Sequence, residues 1–278
     1  VLISQYFGAN RLEELRRYAA SSIVLMLLLG LLMSAIGFCS AELLLARFLG
    51  TPQALLPQAT LYFTIYAAGL VFQFGYNIAA AILRALGDSK ATLYFLLVSS
   101  VLNVALDLLF VAAFRMGVAG AAIATVISQI ISVFLVMRCL LRFDGWAKIS
   151  LRQIRLYRSE AVQMMQIGLP AGLQSMLFNI SNVMVQSAVN SFGADVVAAN
   201  TASGNIGNFT YTAQNSVYHA AITFTSQNLG ARRYDRIDRI FWGSCAAVCI
   251  IGVPLSLLST VFGPQLLGIY IARSDPAY

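Results

Sequence analysis

The sequence predicts an all-α membrane protein with seven transmembrane helices. Hydrophobic residues make up 59% of the 278 positions and charged residues only 10%, whereas soluble globular chains carry about a quarter charged residues. Because no soluble core could hide so much apolar surface, we expect lipid to be the solvent for much of it. Seven long apolar runs and an uneven distribution of basic residues support this prediction.

Each apolar run is long enough to cross the bilayer, since a helix needs about 20 mostly apolar residues to span about 30 Å of hydrocarbon. The predicted spans are, in order, 18–46, 54–83, 91–114, 117–137, 161–192, 196–226 and 240–271. Glycine-containing turns separate several of them, at 50–52, 87–89, 115–117 and 191–193. Asp88 precedes the third span, and we expect its carboxylate to cap that helix.

The basic residues predict the orientation of these spans. When the flanks are assigned alternately to the two sides, one side receives only Arg47, Arg115 and Arg273, and the other receives the remaining 15 of the 18 Lys and Arg residues. Because basic loops face the cytoplasm, we expect an integral protein of the plasma (inner) membrane with its basic loops cytoplasmic. Basic residues placed between apolar runs indicate membrane topology and not a nucleic-acid partner.

An internal repeat indicates two parallel lobes. Residues 4–17 read SQYFGANRLEELRR and residues 226–239 read SQNLGARRYDRIDR, which share six identities at an offset of 222. An even number of predicted spans lies between the copies, so both enter the membrane in the same direction, as in transporters built from parallel repeats. We therefore predict an amino-terminal lobe at 1–145, a cytoplasmic linker at 146–160 and a carboxy-terminal lobe at 161–278.

The same offset predicts that the chain is a piece of a longer protein. By the repeat, the amino-terminal lobe should begin about 60 residues before Val1, and the carboxy-terminal lobe should continue about 90 residues beyond Tyr278. These lengths leave room for two and three more helices. The expected whole has two lobes of about six helices each.

Five motifs together resemble the multidrug and toxin extrusion (MATE) family. They are the repeated S-Q-x-x-G-A-x-R loop, LRALGDS at 83–89, LNVALD at 102–107, GVAGAA at 117–122 and GLP at 168–170. The resemblance covers the whole chain and implies a two-lobe bundle of parallel six-helix repeats, of which this chain holds about helices 3 to 9. It also implies an antiporter that exports amphipathic, often cationic, compounds by alternating access in exchange for protons or sodium.

Asp107 is the most informative single residue because it lies inside the third span, where a carboxylate costs about 3 kcal/mol or more. Asn103 lies on the same helical face and can hydrogen-bond this carboxylate in either protonation state. Burial disfavours the charged form, which would prepare Asp107 to bind and release a proton; with further oxygen ligands the cluster can bind sodium. The resemblance adds Thr125 to this cation-coupling site. Alternatively, Asp107 lies near the external end of its helix and only reaches the headgroups.

Two rows of polar side chains are the predicted lining of the substrate cavity. The fifth span carries Gln174, Asn182, Gln186 and Asn190, and the sixth carries Asn205, Asn208, Thr212 and Asn215. Polar side chains are expensive in lipid, so both rows should face the bundle interior or a water-filled cavity. Interhelical hydrogen bonding without substrate contact explains them equally well. Some members of the family have a glutamate where this sequence has Phe178, which weakens the case for a second cation site.

These features predict secondary active efflux of amphipathic or cationic small molecules, with the lobes rocking about segment 138–160. The sequence contains no P-loop, GxSxG, HExxH or paired catalytic carboxylates, so we expect neither an enzyme nor direct use of ATP. Cysteine spacing predicts neither disulfides nor a zinc site. We expect no cofactor and no metal beyond the coupling proton or sodium, and a monomer in the lipid bilayer. The alternatives are a flippase for lipid-linked saccharides and a non-transporting membrane scaffold.

Overall fold

The structure is a computed structural model that describes residues 1–48, 53, 55–142 and 154–270. Its regular elements are helical throughout these residues, which confirms the all-α fold class. The helices are α1 (Leu2–Gly8), α2 (Leu12–Leu43), α3 (Leu56–Ala85), α4 (Ser89–Asp107), α5 (Gly117–Leu141), α6 (Arg158–Asn190), α7 (Ala194–Gly230), α8 (Ile237–Val261) and α9 (Gly263–Tyr270). π-helical turns continue α2 at Leu44–Phe48 and α4 at Leu108–Ala113, and a 3₁₀ turn at Tyr234–Arg236 precedes α8.

Each predicted span corresponds to a long helix, except that the last one is divided. We expected a single span at 240–271, but α8 ends at Val261 and α9 begins at Gly263. The break precedes Pro264, which has no backbone N–H with which to continue the hydrogen bonding of α8. Residues 146–153 of the predicted linker and residue 271 lie outside the described residues.

Within the described residues, five helical regions are long and apolar enough to cross a membrane. They are Leu12–Arg47, Leu56–Ala85, Ser89–Ala113, Gly117–Leu141 and Tyr234–Val261. Helices α6 and α7, which we predicted as the fifth and sixth spans, have 33 and 37 residues but a lower mean hydropathy. Their rows of amide and hydroxyl side chains account for the difference.

The turn between α3 and α4 forms as the sequence predicts. Oδ1 of Asp88 accepts a hydrogen bond from the backbone N–H of Ala91 at 3.0 Å. This bond satisfies one of the N–H groups that the first turn of a helix leaves unpaired. The preceding Gly87 has a φ of +92°, a conformation that a residue without a Cβ atom adopts without steric cost.

The chain forms two compact units. The amino-terminal unit comprises Leu2–Met164, and the carboxy-terminal unit comprises Met165–Tyr278 together with Val1. The core of the amino-terminal unit lies between α2, α3 and α5, and its fully buried side chains are Leu15, Ala19, Ala79, Ile82, Leu83, Val136 and Leu140. Other large apolar side chains of the same helices are exposed, as expected where lipid is the solvent.

Small residues bring α3 close to α2 and α5. A Cβ atom at Gly69 of α3 would lie 2.5 Å from a methyl carbon of Val126 on α5, and one at Gly37 of α2 would lie 2.9 Å from Cβ of Ala67 on α3. Oγ of Ser34 also donates to the Ala67 carbonyl at 2.6 Å. Close backbone approach and interhelical hydrogen bonds drive helix association in lipid, where the hydrophobic effect does not.

The carboxy-terminal end of the predicted linker packs on α2. The backbone N–H of Tyr157 donates to Oγ of Ser21 at 3.0 Å, and the Tyr18 hydroxyl donates to Oε1 of Gln163 in α6. The guanidinium carbon of Arg17 lies 5.6 Å from the centroid of the Tyr157 ring, within the range of cation–π attraction. This end of the linker therefore belongs to the amino-terminal unit. That the linker acts as a hinge stays a prediction.

In the carboxy-terminal unit, α7 and α8 approach each other at Gly252. A Cβ atom at this position would lie 2.3 Å from Nε2 of Gln214 on α7, so glycine leaves room for that amide. The turn between α6 and α7 depends on Gly193, whose φ is +102°.

The two copies of the repeated motif share one backbone conformation as far as Arg11 and Arg233. Each follows a helix, α1 or α7, whose last residue is the shared glycine, Gly8 or Gly230. Two residues later the chain takes a positive φ at equivalent positions, 57° at Asn10 and 55° at Arg232. The turn hydrogen bonds also correspond at the offset of 222; their donors are the N–H groups of Ala9, Asn10 and Arg11 in the first copy and of Ala231, Arg232 and Arg233 in the second. The sequence repeat is therefore a structural repeat in these loops.

Candidate functional site

Two of the three residues predicted to couple a cation are in contact in the amino-terminal unit. Nδ2 of Asn103 on α4 donates to Oγ1 of Thr125 on α5 at 3.5 Å. The Thr125 hydroxyl donates in turn to the backbone carbonyl of Ala121 at 3.0 Å. Because a hydroxyl has a single proton, the Thr125 oxygen acts as an acceptor towards α4.

Asp107 follows Asn103 by one helical turn and holds one carboxylate oxygen in an unusual environment. The residue is half-buried, but its Oδ1 is fully buried and has no hydrogen-bond partner among the described residues. Most buried polar atoms in proteins are hydrogen-bonded, and an unsatisfied one costs about 1–3 kcal/mol, or more when it is charged. A proton or a cation bound at this oxygen would remove that penalty.

The backbone directly after Asp107 departs from α-helical geometry. The π-helical turn Leu108–Ala113 continues α4, and the N–H of Phe114 donates to the carbonyl of Leu109, five residues earlier, at 2.9 Å. Single π turns inserted in α-helices are frequent at functional sites. The π-helical turn and the buried carboxylate of Asp107 therefore lie at the same end of α4.

The side chains at this site are suited to a proton or to sodium. Asp107, Asn103 and Thr125 offer a carboxylate, an amide carbonyl and a hydroxyl, which are all hard oxygen donors. Only the carboxylate carries negative charge, which favours a monovalent cation. Within the described residues, no group of three or more His, Cys, Asp or Glu side chains is arranged to hold a metal ion.

All four side chains of the predicted polar row on α6 are exposed, and Gln186 and Asn190 take part in side-chain hydrogen bonds. Nε2 of Gln186 donates to Oδ1 of Asn190 at 3.0 Å, and Nδ2 of Asn200 on α7 donates to Oε1 of Gln186 at 3.3 Å. These three amides join α6 to α7 beside their connecting turn, which is the interhelical hydrogen bonding that we considered as the alternative. Gln174 and Asn182 are exposed on the surface of the unit.

Three of the four residues of the predicted row on α7 line a concave surface with a volume of about 700 Å³. The residues that line it are Asn205, Asn208, Phe209, Thr212 and Ala213. This volume falls within the roughly 300–1,000 Å³ of pockets for drug-sized ligands, but the surface is largely open within the carboxy-terminal unit. Phe209 is 71% exposed and places an aromatic ring beside the amides. Asn215, the last member of the row, is half-buried and does not line this surface.

Asn200 belongs to the hydrogen-bonded amides between α6 and α7, and Phe209 lines the concave surface on α7. We predicted neither residue from the sequence. Asn200 lies five residues before Asn205, off the polar stripe that recurs every three or four residues along α7. Phe209 directly follows Asn208, and an aromatic residue next to a polar stripe was the only available signal.

Most of α6 and α7 carries no acidic side chain. Residues 165–193 and 196–233 contain neither aspartate nor glutamate. Phe178, at the position where some related proteins were expected to have a glutamate, is 62% exposed. The concave surface on α7 therefore offers hydrogen bonds and an aromatic ring, but no negative charge from these segments.

A family model for MatE proteins matches residues 1–109 and 170–277, well over half of the chain. The chain belongs to the MatE family. The first matched range of this MatE chain includes Asn103 and Asp107, whereas Thr125 lies between the two ranges. Membership of the MatE family, together with the apolar helices, makes the chain an integral membrane protein.

The MatE chain is similar to two probable multidrug resistance proteins of Bacillus subtilis (strain 168). It is 32% identical to YpnP over 99% of its own length and 30% identical to YoeA over 100%. The chain spans 61% of the length of each of these relatives.

Solved structures support the MatE fold. One, described as the outward-facing conformation of a multidrug resistance MATE family transporter of the MOP superfamily, has a TM-score of 0.88 at 23% identity, over 99% of this chain and 61% of that one. A MOP superfamily transporter from Pyrococcus furiosus has a TM-score of 0.89, also at 23% identity and with the same coverage. These similarities show the fold.

Proposed function

We propose that the full-length protein is a secondary active multidrug efflux antiporter that exports amphipathic or cationic compounds in exchange for protons or sodium. The similarity to YpnP and YoeA, both described as probable multidrug resistance proteins, supports efflux of this kind. The sequence contains no P-loop, so an ion gradient is the proposed source of energy.

The observation that carries the proposal is the buried, unpartnered Oδ1 of Asp107 beside the Asn103–Thr125 contact. Asp107 would bind the coupling cation, because neutralising the carboxylate removes the penalty of its burial. The Asn103 amide can donate to the charged carboxylate and accept from the protonated one, so it supports both states of the exchange. The Thr125 oxygen would complete the ligand set when the cation is sodium.

The concave surface on α7 is the proposed contact region for the exported compound. Asn205, Asn208 and Thr212 would hydrogen-bond its polar groups, and the Phe209 ring would stack on a planar or cationic part of it. Alternating access would move this surface between the two sides of the membrane. We also propose a monomer in the plasma (inner) membrane with its basic loops in the cytoplasm.

The test is gradient-driven efflux by the full-length protein reconstituted in vesicles. Asp107→Asn keeps the shape of the side chain but removes its ability to exchange a proton or bind a cation, so gradient-driven efflux should be lost. Substrate binding in the absence of a gradient should remain. Asp235→Asn is the matched control, because this carboxylate is exposed in the loop before α8 and should be dispensable for efflux.

Wild-type efflux by the Asp107→Asn protein would contradict the coupling role. If the wild-type protein exports no amphipathic or cationic compound, such as a cationic dye, but moves lipid-linked saccharides between leaflets, the flippase alternative replaces antiport. A protein that shows neither activity and no saturable substrate binding would support the scaffold alternative.

A further inference from the structure

The loop between α7 and α8 contains a concentration of basic side chains. Arg232, Arg233, Arg236 and Arg239 fall within eight residues, accompanied by Asp235 and Asp238. All six side chains are exposed. The segment therefore presents four guanidinium groups and a net positive charge on what the basic-residue distribution predicts to be the cytoplasmic side.

In the first copy of the same loop, two arginines form ion pairs. Arg11 forms an ion pair with Glu14, in which its Nε donates to Oε1 at 3.0 Å. Nη2 of Arg17 lies 2.5 Å from Oε1 of Glu13, one turn earlier on α2. Two of the guanidinium groups in this loop are thus occupied by carboxylates of the same loop.

In the second copy these ion pairs are absent within the described residues. The position of Glu14 is taken by Arg236, so Arg233, the counterpart of Arg11, loses its acidic partner and gains a basic neighbour. The position of Glu13 is taken by Asp235, whose side chain is one methylene shorter. Asp235 also lies in a 3₁₀ turn, whereas Glu13 lies in an α-helix with its i+4 partner on the same face. The two loops, whose backbones match only as far as Arg11 and Arg233, therefore differ in how many guanidinium donors they leave available.

Exposed aromatic rings lie directly beyond these arginines. Phe241 is 59% exposed and Trp242 is 70% exposed, and their ring centroids lie 5.3 Å apart with an edge-to-face arrangement. Both are in the first turns of α8, which is apolar and long enough to cross a membrane from Tyr234 onwards. Tryptophan is enriched at the membrane–water interface, with its ring at the level of the headgroups.

We propose that the segment Arg232–Trp242 is a binding site for the headgroup of an anionic phospholipid of the cytoplasmic leaflet. Guanidinium groups donate two parallel hydrogen bonds to phosphate oxygens, and arginines without carboxylate partners are free to do so. The aromatic pair favours a lipid over free phosphate, because its rings contact acyl chains and glycerol that a free ion does not have. The charge of the segment selects anionic over zwitterionic lipid.

The test measures phospholipid retained by the purified full-length protein from mixed phosphatidylcholine and phosphatidylglycerol micelles, by native mass spectrometry. Arg233→Gln with Arg239→Gln should lower the preference for phosphatidylglycerol about fivefold or more, since each basic residue near an anionic surface contributes about a fivefold factor. The matched control is Arg11→Gln with Arg17→Gln, which removes the same charge at the equivalent positions of the first copy and should change the preference less than about twofold.

Three outcomes would overturn the proposal. Equal losses in both double variants would show general electrostatic attraction at the basic side, and no loss in either would exclude the loop. Displacement of the lipid by inorganic phosphate, without any effect of Trp242→Leu, would show a small-anion site. Loss of lipid retention in Trp242→Leu, with resistance to phosphate, supports the lipid site.

Discussion

Replacing Thr125 with valine distinguishes a cation site from a hydrogen bond that only joins two helices. Valine has nearly the same shape, so the packing of α4 on α5 should persist while the oxygen is lost. The Asn103–Thr125 contact is long, at 3.5 Å, and interhelical hydrogen bonds in membrane proteins contribute about 0.6 kcal/mol on average. The full-length variant should therefore be destabilised by about 0.6 kcal/mol or less, which is under about threefold in the unfolding equilibrium constant.

The effect on coupled transport should be larger than the effect on stability. Loss of a group at an ion site typically reduces affinity by about tenfold or more, so gradient-driven efflux by Thr125→Val should fall by about that factor at limiting cation concentration. Thr125→Ser keeps the oxygen and should retain most of the activity. Thermal unfolding in detergent and efflux from vesicles are measured on the same preparations. An efflux loss no greater than the threefold stability change, or an equal loss in the serine variant, would contradict a role of the Thr125 oxygen in cation binding.

Three further predictions concern the helices that position the site. Gly69→Ala should destabilise the protein by about 1–3 kcal/mol, because the added Cβ would lie 2.5 Å from a methyl carbon of Val126. Val126→Ala should restore stability in the double variant, and failure of that rescue would contradict the proposed clash. Asp88→Ala should cost about 1 kcal/mol in thermal unfolding by removing the cap at Ala91, whereas Asp88→Asn should cost much less, and equal costs would count against the cap. Gly193→Ala should cost about 1–3 kcal/mol because φ is +102° there, and an unchanged melting temperature would show that the turn relaxes.

The sequence predicted the features that depend on local rules. Apolar run lengths placed most helix ends within four residues, because a hydrocarbon layer about 30 Å thick imposes a minimum length. The cap at Asp88 follows from the chemistry of an unpaired helix terminus. The 222-residue repeat appears again in the matching turns at Asn10 and Arg232.

Features that depend on tertiary packing were not predictable. The π turn after Asp107 occurs in the sequence LLFVAA, which contains neither proline nor glycine to signal it. The polar row on α6 looked uniform, yet Gln186 turns towards Asn200 because the adjacent helix supplies an amide there. The end of α8 at Val261 has a local signal in Gly263 and Pro264, but it was missed because apolar residues continue on both sides of the break.

The central claim, that export is coupled to a cation at Asp107, is tested most directly by measuring two fluxes together. Full-length protein in proteoliposomes would be followed with a fluorescent substrate, a luminal pH dye and a sodium tracer during the same transport reaction. We expect a proton or sodium flux opposite to the substrate, in a fixed ratio, that disappears in Asp107→Asn. Substrate movement against its gradient with no accompanying cation flux, or an undiminished cation flux in Asp107→Asn, would contradict it.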